Sequence, residues 1–110
     1  MATSTNKIIK IIKKYIEELK KHNIPIDKAI IFGSYAKGKA KLYSDIDIAL
    51  ISDFFTGDRF EDRRKIIPYR RKIDNRIEPI PFRPEDFDNG GILVKEIKKE
   101  GINVLRKKYQ

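Results

Sequence analysis

Two aspartates one residue apart, Asp45 and Asp47, open the apolar run that ends at Ile51. In an extended chain, side chains at i and i+2 share a face and stand ~6.5–7 Å apart at about 3.3 Å per residue. Carboxylates so placed can supply oxygen ligands to a pair of divalent ions about 3.5–4 Å apart, an arrangement suited to in-line phosphoryl or nucleotidyl transfer. Mg²⁺ fits such a site, because it takes one or two carboxylates and completes its octahedron with water and substrate phosphates. On its own, acid–apolar alternation describes any half-exposed strand equally well. Gly33-Ser34, however, stands ten residues upstream, directly after the apolar run Lys28-Ala-Ile-Ile-Phe32. A sharp turn there presents backbone N–H groups and a hydroxyl to a phosphate, and the missing Cβ of a glycine permits close approach. A third carboxylate is expected from a neighbouring strand about 4.8 Å away. Glu78, in Arg76-Ile-Glu-Pro, is the only acid inside an apolar extended run after Asp47. The competing reading of Glu78 is an exposed edge-strand glutamate.

The elements that must position these residues follow from hydrophobic period. From Lys7 to His22, Ile8, Ile9, Ile12, Tyr15, Ile16 and Leu19 recur at three- and four-residue intervals, which predicts an amphipathic helix stopped by Asn23 and Pro25. Lys28–Phe32 reads as a buried strand, and Asp45–Ile51 as a strand polar only at its start. Asp58 to Lys72 is helix-prone, with Ile66 and Ile67 inward and Pro68 dividing it. Arg76–Phe82 is extended, and its prolines restrict it to a sheet edge. A turn or short helix from Pro84, a last helix from Ile92 to Lys99 with Gly101 as its C′ residue, and a closing strand Ile102–Leu105 complete the chain. The predicted class is α+β (α/β-like), a small mixed sheet with helices on one side.

Length and composition set the limits. A chain of 110 residues is expected to be one domain, residues 1–110, with one core and one site. It contains no cysteine and one histidine, His22, so a metal here must be a hard cation held by carboxylates. No apolar run is long enough for a signal peptide or a membrane span, so an intracellular, cytoplasmic protein is expected. The net charge of +9 allows nucleic acid, a nucleotide or an acidic partner, and equally a merely basic surface. Arg59, Arg63, Arg64, Lys65, Arg70, Arg71 and Lys72, with the tail Arg106-Lys-Lys108, form the densest basic segments. Only Phe60 and Tyr69 interleave the first, so a solvated helix face is the favoured reading over a stacking platform for nucleic acid.

Gly33-Ser34, ten residues, Asp45-Ile-Asp47 matches the G-S-x10-D-x-D signature of the DNA polymerase β-like nucleotidyltransferases. With Ile77-Glu78-Pro-Ile-Pro and Lys95-Glu-Ile-Lys-Lys-Glu-Gly-Ile102, the chain resembles the minimal nucleotidyltransferase group over about residues 8–105. The resemblance implies the minimal polymerase β-type fold, a small mixed sheet flanked by helices, with two Mg²⁺ ions on Asp45, Asp47 and Glu78, and a nucleotide with its phosphates at Gly33-Ser34. Lys37 stands where many relatives carry arginine, keeping a charge but losing a bidentate fork. It further implies transfer of AMP from ATP to a tyrosine of a partner HEPN-domain ribonuclease, as the antitoxin of a type VII-like toxin–antitoxin pair. Two other functions stay open: a non-catalytic antitoxin that neutralises its partner by complex formation, and a small-molecule or RNA nucleotidyltransferase with a separate substrate-binding subunit. Homo-oligomerisation through an edge strand is compatible with each.

Overall fold

The structure, a computed structural model, describes residues 5–41 and 43–105. Helix α1 (Thr5–Lys21) buries Ile8, Ile12, Tyr15, Ile16 and Leu19, the stripe set by their spacing. It ends at Asn23, whose φ of 64° is the left-handed geometry asparagine tolerates, while the Ile24 N–H closes on the Leu19 carbonyl at 3.0 Å. Strands β1 (Lys28–Phe32) and β2 (Ile46–Ile51) follow, joined by the turn that begins at Gly33. Helix α2 (Arg59–Ile66) is capped by the Asp58 carboxylate, which accepts from the Glu61 N–H. Pro68 ends it, and the chain continues as a 3-10 turn over Ile67–Lys72. Strand β3 (Ile77–Phe82), helices α3 (Pro84–Asp88) and α4 (Ile92–Glu100) and strand β4 (Ile102–Leu105) complete the order.

The sheet runs β3-β2-β1-β4, with β2 and β3 parallel and the other pairs antiparallel. This mixed four-stranded sheet with its helices is the predicted α+β architecture. β3 lies on the outside, where Pro79 and Pro81 withhold no hydrogen bond that a second neighbour would need.

Helices cover both faces rather than one. Ile31, Ile46, Ile48, Leu50 and Ile77 pack against α1. Ile30, Phe32, Ala49, Ile51 and Phe82 pack against Phe87 of α3 and Val94 and Ile97 of α4. The reason is visible in β1 and β2. Apart from Lys28 and Asp47 every position in them is buried, and strands apolar on both faces require a layer on each. Within α4, Val94 and Ile97 point inward while Ile92 and Leu93 face outward. Gly101 does not take the left-handed C′ conformation: its φ is −71° and ψ 156°. Glycine is needed there for space, since a Cβ would stand 2.3 Å from the Ile30 Cγ2.

Candidate functional site

β2 carries the first chemistry onto the sheet. Register pairs Asp47 with Phe32 of β1 on one side and with Glu78 of β3 on the other, so all three share one row and one face. Asp45 lies one residue before β2 and is exposed, whereas Asp47 is half-buried. Gly33 leaves β1 with φ +74°, and a Cβ on it would lie 2.3 Å from the Asp47 Oδ2 and 3.2 Å from its Cγ. The carboxylate therefore rests against the backbone of the turn, in a space that any side chain at residue 33 would fill. Burial pushes the Asp47 carboxyl above its usual range, and the negative charges of Asp45 and Glu78 push it further. A half-desolvated anion crowded by two others is the setting in which a hard cation is favourable, and the donor set is oxygen only.

Glu78 is the residue whose surroundings composition did not reveal. Its Oε1 accepts from Arg63 Nη2 at 2.7 Å, and its Oε2 from Arg70 Nη1 at 3.2 Å. Arg70 Nη1 also donates to the Ile77 carbonyl at 2.7 Å, which fixes that guanidinium beside β3. Glu78 is thus brought beside Asp47 but its carboxylate is turned to α2. Among the described residues, no three His, Asp or Glu side chains stand close enough to share one ion. Asp47 with the nearby Asp45 offers oxygen donors of the kind a hard divalent cation takes, whereas the Glu78 oxygens are engaged by two arginines.

The turn after Gly33 is held on two sides. Its first bonds are internal: the N–H groups of Lys37, Gly38 and Lys39 close on the carbonyls of Gly33, Tyr35 and Ser34 at 3.1, 3.4 and 2.9 Å. The N–H groups of Ser34, Tyr35 and Ala36 are not used in these bonds. On one side the Tyr35 hydroxyl accepts from Arg76 Nη1 at 3.1 Å, and Arg76 is in turn paired with Asp74 at 2.8 Å. On the other, Lys37 Nζ reaches Glu96 Oε1 of α4 at 2.8 Å. The charge expected of Lys37 is therefore present but engaged by α4.

The basic segment divides. Arg63 and Arg70 turn to the site, Arg64 pairs with Glu61, Arg59 covers Phe82, and Lys65 covers Phe54. Arg63 stands on α2 and Arg70 on the 3-10 turn beyond Pro68, so no single helical spacing signalled that they converge on Glu78. The tail Arg106-Lys-Lys108 lies outside the described residues. Asp62, also unforeseen, is 1% exposed and accepts from the N–H groups of Thr56 and Gly57 and the Thr56 hydroxyl, all near 3.0 Å. It shapes the β2–α2 connection and leaves the site to others. A groove of about 890 Å³, floored by Ile30, Ile51, Phe87 and Ile97, contains none of Gly33, Ser34, Asp45, Asp47 or Glu78 in its walls. Among the described residues, no helix is long and apolar enough to cross a membrane.

Solved structures share this fold. A candidate nucleotidyltransferase from Sulfolobus solfataricus superposes with a TM-score of 0.65 at 20% identity, over 88% of this chain and 78% of that one. A toxin–antitoxin complex with AMP-PNP gives 0.58 at 22% identity, over 86% and 73% of the two chains. A toxin–antitoxin pair, MntA–HpeT, altered from Asp to Glu at two positions one residue apart, gives 0.51 at 18% identity, over 96% and 75%. A search of curated proteins finds no match. Residues 9–102 match the nucleotidyltransferase domain, and the chain belongs to that family.

Proposed function

We propose that this chain is a Mg²⁺-dependent nucleotidyltransferase that moves AMP from ATP to a hydroxyl, and that the hydroxyl is a tyrosine of a HEPN-domain ribonuclease. The observation that carries the reading is the row Phe32–Asp47–Glu78 abutting the Gly33 turn, with the Asp47 carboxylate in the space a Cβ would fill. On this reading residues 1–110 form one nucleotidyltransferase domain with its core at about 8–105, of the minimal group, serving as antitoxin to its partner. Support for the partner class comes from similarity to the toxin–antitoxin structures, one described with AMP-PNP and one altered at two aspartates with the D-x-D spacing of Asp45 and Asp47.

In the transfer, the acceptor oxygen bonds to the α-phosphorus of ATP, the bond from that phosphorus to the β-phosphate oxygen breaks, and pyrophosphate leaves. Asp45, Asp47 and Glu78 would hold divalent ions, which when bound neutralise phosphate charge and acidify the acceptor hydroxyl. Ser34 and the first N–H groups of its turn orient the phosphates. Glu78, on the strand farther from that turn, lies toward the acceptor and receives the proton directly or through water.

Incubating the protein with Mg²⁺, ATP and the product of the adjacent gene should add the mass of one AMP to that product, and Asp45→Ala should abolish the addition. A second reading, a non-catalytic antitoxin, draws on the engagement of Glu78 by two arginines. It predicts a tight complex without added mass, unaffected by Asp45→Ala.

A further inference from the structure

Three carboxylates crowd one end of the sheet, yet among the described residues only Glu78 is neutralised by direct contact. Both Glu78 oxygens are occupied by guanidinium groups, one from α2 and one from the 3-10 turn, whereas Asp47 has its charge raised in cost by its neighbours. The two arginines differ in freedom. Arg70 is tied to the Ile77 carbonyl and is about a quarter exposed, while the Arg63 guanidinium is held, among the described residues, by Glu78 alone and is 44% exposed. Two guanidiniums on one carboxylate cancel its charge and hold it toward α2, so they compete electrostatically with a cation for it. A guanidinium that leaves a carboxylate is matched in shape and charge to a phosphate-type oxyanion.

We infer that Arg63 and Arg70 form a latch on Glu78, opened when a tetrahedral oxyanion on the acceptor side takes Arg63 and frees Glu78 for a divalent cation. This rests on the proposed role of Glu78 toward a metal. The oxyanion belongs on the acceptor rather than the nucleotide because α2 packs on β3, whereas the Gly33-Ser34 turn follows β1, two strands and roughly 10 Å across the sheet. Cation and oxyanion then strengthen each other's binding by the same factor, since each removes what the other must displace. An acceptor surface carrying phosphate beside its hydroxyl would switch on the site that modifies it.

The test uses the full chain, with Mn²⁺ as the cation, counted by the electron paramagnetic resonance of the free ion, and sulfate as the oxyanion against a chloride control of matched ionic strength. In the native protein sulfate should tighten Mn²⁺ binding by about threefold to tenfold, the range expected for exchanging a partly exposed ion pair of this kind. Arg63→Gln should bind Mn²⁺ that much more tightly without sulfate and gain nothing from it, and Ser34→Ala should retain the sulfate effect. Thermal melts establish that each variant is folded. If Arg63→Gln binds Mn²⁺ no more tightly while Glu78→Gln weakens it, the latch is wrong and the metal role of Glu78 stands. If, with sulfate present, Glu78→Gln leaves Mn²⁺ affinity unchanged, the metal role of Glu78 fails and the latch with it. Loss of the sulfate effect in Ser34→Ala would place the oxyanion at the nucleotide's own turn and overturn the assignment to the acceptor.

Discussion

Replacing Gly33 by alanine should damage catalysis far more than folding, and Gly38 provides the internal control. Both glycines have positive φ, +74° and +71°, so alanine at either incurs a similar backbone cost of about 1–2 kcal/mol. They differ in what a Cβ would meet. At Gly38 nothing lies within 4 Å, whereas at Gly33 the Asp47 Oδ2 is 2.3 Å away. Ordinary contact begins at 3.4 Å, so the Asp47 carboxylate, or the turn, must move by roughly 1 Å. A displacement of that size at a reacting centre costs on the order of 10²-fold in rate. Urea unfolding should therefore show losses for the two variants within about 1 kcal/mol of one another, because a half-exposed carboxylate can swing aside. AMP transfer should fall about 100-fold in Gly33→Ala and by only a fewfold in Gly38→Ala. Equal transfer rates for the two variants would refute the claim that Asp47 works from the space left by residue 33.

Two further outcomes follow from the charges. Asp47 has its carboxyl raised by burial, then by Asp45 and Glu78, so its ionised form is destabilising, and the stability it contributes is full below the unfolded value near 3.9 and lost as pH rises through the folded one. Metal-free Asp47→Asn should thus abolish transfer yet unfold at higher urea than the native protein at neutral pH, with the advantage vanishing as pH falls through the raised value; a less stable variant at pH 7 would contradict this. Asp62→Ala strips partners from the Thr56 and Gly57 N–H groups and the Thr56 hydroxyl and leaves a gap where a buried carboxylate stood, and should cost about 1–3 kcal/mol by urea unfolding while leaving the transfer rate per folded molecule unchanged.

The fold was legible where local chemistry and burial agree. The α1 stripe, the stop at Asn23, the break at Pro68 and the edge position of the proline-bearing β3 all follow from the chain itself. The element pattern placed helices on one side only, whereas the family resemblance implied a sheet flanked by helices, as the unbroken apolar run in β1 requires. Gly101 was assigned to a cap because glycine after a helix has two explanations, and only the packing of Ile30 distinguishes them. At the site, Gly33, Ser34, Asp45 and Asp47 are close in sequence, and their spacing alone sets them at one end of β2. Glu78 reaches them only through the β2–β3 register, a long-range pairing that its own segment does not encode. The part played by Arg63 and Arg70 was hidden for a different reason. Within a segment of seven basic residues, composition cannot single out the two whose helical positions face β3.

The central claim is that divalent metal and nucleotide bind together between Gly33 and Asp47, and unfolding in the presence of Mg²⁺ and a non-hydrolysable ATP analogue tests it without a partner. At one hundred times the dissociation constant the native chain should gain about 2.7 kcal/mol of stability, with neither ligand effective alone and no gain in Asp45→Ala. Equal stabilisation of the native chain and Asp45→Ala, or none in either, would contradict it.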